Sequence, residues 1–148
     1  MGLEEVKTIP GKDALIVIFK RFGVNWESYI DEDENIERIY ATGTVDDVKM
    51  HISCKPTECK TEAPEYRAVS PCYSKPEPAA VLKCIFAVLE RVKETVEKAE
   101  ELLEIAGRLE EHGFRTMKTD RGAHARMFIH GGSIEIDFNP DGSTLKFV

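Results

Sequence analysis

The chain contains no glutamine, and its only asparagines stand at 25, 35 and 139. Thermolabile amides are therefore scarce while 32% of the residues are charged, a bias that hyperthermophile proteins share. Also missing is any apolar run near the roughly 18 residues that a membrane-spanning helix needs, so no membrane partner is expected. The opening stretch "MGLEEVKTIPGKD" has acidic residues and no apolar segment, which reads as the absence of a secretory signal and places the protein in the cytoplasm. Excess positive charge is lacking as well. A net charge of −7 argues against nucleic acid, whose binding needs cationic surface to displace counterions. Finally, G-x-S-x-G, H-E-x-x-H and the phosphate-binding P-loop are all absent. These absences point away from an enzyme of those classes and say nothing about others.

What is present fits one α+β domain over 1–148, since this length allows one proper core and not two. Residues 1–54 read as about three strands. "ALIVIF" (14–19) is a continuous apolar run suited to a strand buried on both faces, a weak strand follows at 24–30, and "IERIYATGTV" (36–45) reads as another with Gly43 as a bulge. In "DVKMHISC", Val48, Met50, Ile52 and Cys54 alternate with Lys49, His51 and Ser53, so Cys54 should face the core and His51 should face away. "DEDEN" (31–35) is a solvated turn. Residues 55–78 hold prolines at 56, 64, 71, 76 and 78, which predicts a long irregular Pro/Cys-rich loop that needs fastening.

A long helix is expected over 79–112, with Pro78 in its first turn and Gly113 just past its end. Leu82, Ile85, Leu89, Val92, Val96, Ala99, Leu103 and Ala106 follow a 3–4–3–4 spacing, which is a heptad seam. A helix of this length spans roughly 50 Å, whereas a sheet of five or six strands is only about 25 Å wide. The helix should then overhang its sheet, and the exposed seam predicts a homodimer through this helix.

The last block, 114–148, reads as a four-stranded antiparallel meander: "FRTMKT", "AHARMFIH", "SIEIDF" and "STLKFV". A two-residue "GG" turn would pair residues whose numbers sum to 263, placing Ile129 opposite Ile134 and Arg126 opposite Asp137. The "NPDG" turn should set Leu145 and Phe147 opposite Ile136 and Ile134. The predicted fold is thus an antiparallel β-sheet, about three N-terminal strands plus the meander, packed on one long α-helix.

Two constellations carry candidate chemistry. The polar face of the C-terminal hairpin gathers His124, Arg126, Phe128, His130, Glu135 and Asp137, a platform able to hold an anionic ligand or, with His124 or His130 as acid–base, a small enzyme's site. The same residues also make an ordinary solvated face with one cross-strand ion pair. Cys54, Cys59, Cys72 and Cys84 are candidates for disulfides, in any of three full pairings, or for free thiols. Their spacing lacks the two short knuckles of a structural zinc site, so metal there is disfavoured and no cofactor is predicted. The function read from these features is a non-enzymatic, self-associating cytoplasmic binding or regulatory module with a possible protein partner. The alternatives are an anion-binding protein or small enzyme on the hairpin face, and a thiol/disulfide or metal protein built on the cysteines.

Overall fold

The computed structural model describes residues 5–148; residues 1–4, which open the predicted N-terminal block, lie outside the described residues. The class is α+β with antiparallel strands and one long helix, as expected. The strands are divided between two sheets rather than joined in one, and the chain forms two compact units, residues 1–92 and 93–148.

The first unit begins with a correction. "ALIVIF" is not a strand but the body of helix α1 (Lys12–Arg21). Its apolar residues divide by helical spacing: Leu15 and Phe19, four apart, are fully buried, while Val17 on the other side is exposed. The flanking residues decide the issue. Gly11 and Gly23 both adopt positive φ, Asp13 lies in the first turn, and Lys20 and Arg21 lie in the last, matching the helix dipole at each end.

A five-stranded meander follows, with β1 (Asn25–Asp31), β2 (Ile36–Val45), β3 (Val48–Lys55), β4 (Glu58–Glu62) and β5 (Cys72–Ser74) paired antiparallel in chain order. Asp46 and Asp47 both take positive φ, as a two-residue hairpin loop between right-twisted strands demands. Gly43 is not a bulge, because it pairs in register with Met50. Its role is close approach: an added Cβ would lie 2.7 Å from Val24 Cγ1 and 2.8 Å from its Cα. Strand β3 alternates as predicted, with Val48, Met50, Ile52 and Cys54 buried and His51 half-buried on the opposite face.

The segment 55–78 is more regular than its prolines imply, since it contains both β4 and β5. Every proline falls between elements or at an element's start: Pro56 in the β3–β4 turn, Pro64 and Pro71 between β4 and β5, Pro76 and Pro78 at the entry to the next helix. None is asked to donate a ladder hydrogen bond, which is why the strands survive them.

Helix α2 (Pro78–Gly107) is about 45 Å long and ends one turn earlier than expected. Arg108–His112 tighten into a 3-10 turn, closed by Gly113 at φ 91°. Its heptad residues do not form an open seam. Ile85, Val92, Ala99 and Ala106 are buried inside the chain, and Leu82, Leu89, Val96 and Leu103 are half-buried. The helix runs from the first unit into the second. Its first half is tied to the first unit by the Cys72–Cys84 link, by an Arg91 hydrogen bond to the Ser70 carbonyl, and by edge contact of Phe22 on Phe86.

The second unit contains the rest of α2 and a meander of β6 (Arg115–Lys118), β7 (Ala123–Ile129), β8 (Gly132–Asn139) and β9 (Gly142–Phe147). The β7–β8 register sums to 261, not 263. The turn is His130–Gly131, with Gly131 at φ 87°, while Gly132 pairs with Ile129 and has no room for a Cβ beside the Val148 carbonyl. A shift of two keeps the side chains that remain in the ladder on their expected faces, changes their partners and moves His130 into the turn. The β8–β9 register is the expected one, with Ile136 opposite Leu145 and Ile134 opposite Phe147.

Candidate functional site

The polar face of the second sheet is built in rows, because residues opposite one another across antiparallel strands share a side of the sheet. One row runs Arg115–Arg126–Glu135–Lys146 across all four strands; the next runs Met117–His124–Asp137–Thr144. Beyond Arg126 comes Phe128, opposite Ser133, which exchanges both backbone hydrogen bonds with Val148.

Glu135 is the hub. Its residue is only 5% exposed, yet Arg126 donates to Oε1 through Nε at 2.7 Å and also through Nη2, while Lys146 Nζ stands 3.5 Å from Oε2. The Arg126 hydrogen bond lowers the Glu135 pKa, outweighing the upward push of burial, and the charges of Arg126 and Lys146 add to the effect. His124 is pinned between carboxylates, with Nδ1 2.6 Å from Asp137 Oδ1 and Nε2 3.7 Å from Glu135 Oε1. The Arg126 guanidinium also lies over the Phe128 ring, 5.8 Å from its centroid.

Five of the six predicted residues are therefore brought together: His124, Arg126, Phe128, Glu135 and Asp137. His130 is not among them, since it occupies the exposed β7–β8 turn. The pairings also differ from those expected. Arg126 meets Glu135 rather than Asp137, and His124 meets Asp137 rather than Asn139, both following from the two-residue register shift. Strand β6 adds residues that the sequence did not single out: Arg115, Thr116 and Met117 join His124, Arg126 and Phe128 around a shallow hollow of about 330 Å³. Only the pairing of β6 with β7, set by the four-residue turn between Lys118 and Ala123, reveals them.

The four cysteines form two links, Cys54–Cys59 and Cys72–Cys84, with no free thiol among the described residues. Cys54 and Cys59 face each other directly across β3 and β4, 4.1 Å apart at Cα. Cys72 reaches from β5 to α2. Among the described residues no group of His, Cys, Asp or Glu is arranged to hold a metal ion. A second hollow, of about 410 Å³, is walled by Pro10, Pro56, Pro76 and Pro78 and has only Lys75 and Glu77 as ionisable neighbours. No helix among the described residues is long and apolar enough to cross a membrane. No family model, characterised protein or solved structure matches this chain.

Proposed function

We propose that the protein is a non-enzymatic, self-associating binding module whose second sheet is its recognition surface, with a homodimer formed through the apolar face of that sheet. One observation carries this reading. On that face Ala123 and Ala125 are buried, but Ile129, Leu145 and Phe147 are 43%, 56% and 73% exposed. These three are aligned by the sheet register with Met127, Ile134 and Ile136, so they extend one apolar surface rather than lie scattered. A second copy is the favoured occupant because the exposed part of this face, Ile129, Leu145 and Phe147, is apolar and can meet its own copy, as a two-fold interface requires. Sealing one phenylalanine as open as Phe147 is worth roughly 3 kcal/mol, and a two-fold interface seals two. With Leu145 and Ile129 added and the cost of association deducted, a dissociation constant on the order of micromolar follows.

The opposite face supports binding over acid–base chemistry. Both ring nitrogens of His124 look at carboxylates, and Glu135 is already held by Arg126, so neither is poised toward a substrate. The proposed setting is the cytoplasm of a thermophile, where disulfides persist; an oxidising compartment would accommodate them equally. No cofactor is proposed.

Sedimentation velocity over about 1–100 µM tests the dimer, because a micromolar interface dissociates within that range. The wild type should shift from monomer to dimer, and Phe147→Glu should stay monomeric, with a melting temperature equal to that of the wild type at concentrations well below the dissociation constant. A wild type that is monomeric throughout refutes self-association.

A further inference from the structure

We propose that the hollow between β6 and β7 is a binding site for a small monoanionic carboxylate carried on an aromatic body, with Arg115 as its principal anchor. The inference rests on reading the protein as a binding module, but not on self-association, since the site is on the opposite face from the dimer surface.

Arg115 and Arg126 face each other across adjacent strands. Like charges directly opposite are destabilising, and the two guanidiniums differ in what relieves them. Arg126 is matched by Glu135 and braced on Phe128. Arg115 is exposed and its side chain has no hydrogen bond or ion pair among the described residues. Glu135 does not serve it, because Arg126 stands between them in the row and Glu135 bonds Arg126 and Lys146. The row by itself therefore reads cation, cation, anion, cation, and no anion stands at the Arg115 end.

The chemistry of the missing partner follows from count and shape. Over the two rows together, Arg115, Arg126 and Lys146 stand against Glu135 and Asp137, leaving one positive charge in excess among the arginines, lysines and carboxylates. A monoanion balances that excess, whereas a phosphate dianion would overshoot it. The guanidinium fork matches a carboxylate in two parallel hydrogen bonds. Around it the walls are apolar and open: Met117 is 61% exposed and Phe128 70%. A flat ring attached to the carboxylate can lie against both, and the hollow of about 330 Å³ falls at the small end of ligand pockets.

The test uses 1-naphthoate, with its uncharged analogue 1-naphthamide, followed by amide chemical-shift changes in the full chain. For a ligand of this size the expected dissociation constant for naphthoate is on the order of 0.1–1 mM, with shifts confined to β6 and β7. Arg115→Ala should weaken binding at least about tenfold, the loss of one charge-assisted pair, and Arg115→Lys should recover part of that loss. Phe128→Ala should weaken it to a similar degree. Folding does not confound the result, because the Arg115 side chain has no hydrogen bond or ion pair among the described residues; its alanine variant should melt at or slightly above the wild-type temperature. Phe147→Glu should bind naphthoate as the wild type does, which separates this site from the dimer. The proposal is overturned if naphthamide binds as well as naphthoate, if Arg115→Ala binds undiminished, or if the shifts map elsewhere.

Discussion

Removing the Cys72–Cys84 link should cost far more stability than its sequence separation alone distinguishes from Cys54–Cys59. In the chain-entropy picture, closing 13 residues contributes about 2.9 kcal/mol and closing 6 contributes about 2.2 kcal/mol. The structure widens that narrow gap. Cys54 and Cys59 flank a hairpin whose Lys55–Glu58 pair already brings them opposite one another, so their link repeats a constraint present without it. Cys72 belongs to β5, three residues long and paired only with β4, and its link to Cys84 is what fixes that strand to α2. A Cys72→Ser/Cys84→Ser variant should therefore lose close to the full ~3 kcal/mol, while Cys54→Ser/Cys59→Ser should lose less than about 2 kcal/mol. If the first unit melts as a cooperative block of its own size, the larger loss lowers its melting temperature by roughly 12–24 °C. Differential scanning calorimetry with and without reductant reads both values. Alkylation of the denatured protein counts the thiols, with none expected before reduction and four after. Four reactive thiols in unreduced protein would refute the links. A Cys54→Ser/Cys59→Ser variant that melts below Cys72→Ser/Cys84→Ser would refute the ranking.

Glu37 accepts the Ile9 N–H at 3.0 Å and an Lys12 ammonium hydrogen at 2.8 Å; burial raises its pKa, but these two bonds prevail and the net direction is down. Its contribution is then complete above the unfolded value near 4.3 and lost as pH falls through the lower folded value. Glu37→Gln should lower stability at pH 7 by about 1–3 kcal/mol, with the gap to wild type narrowing as pH falls below the unfolded carboxylate value in urea titrations. A constant gap across that range would contradict the linkage. Gly43→Ala should destabilise the first unit by about 1–3 kcal/mol, because the new methyl meets Val24 backbone that cannot rotate away. A melt within a degree of wild type would show that β2 and the chain at Val24 separate easily.

The strands were legible wherever alternation and turn chemistry agreed. Residues 36–45 are β2 as read, and the "NPDG" turn sets Leu145 opposite Ile136. Helix α1 was not legible from "ALIVIF" alone, since a short apolar run has no visible period; the deciding signals were Gly11 and Gly23 outside it. Over 55–78 the number of prolines says less than their placement, since all five fall between elements or at an element's start. In the β7–β8 hairpin, "GG" located the turn to within one residue, and that slip moved the partners by two. Because two is the period of a strand, the composition of the site's face was right while its ion pairs were wrong.

The same period explains why the site was only half visible. Within one hairpin, alternation places His124, Arg126 and Phe128 together from sequence, and a register error leaves that list unchanged. Arg115 and Met117 enter through a different strand pair, whose register depends on the four-residue turn between Lys118 and Ala123. Nothing in "FRTMKT" marks Arg115 as different from any solvated arginine. Its distinction lies in what it is opposite: a second arginine whose carboxylate is already shared with a lysine. A like-charged cross-strand pair costs stability unless something answers it. On a sheet where every other charge of that row is matched, the unanswered one is where a ligand has the most to offer.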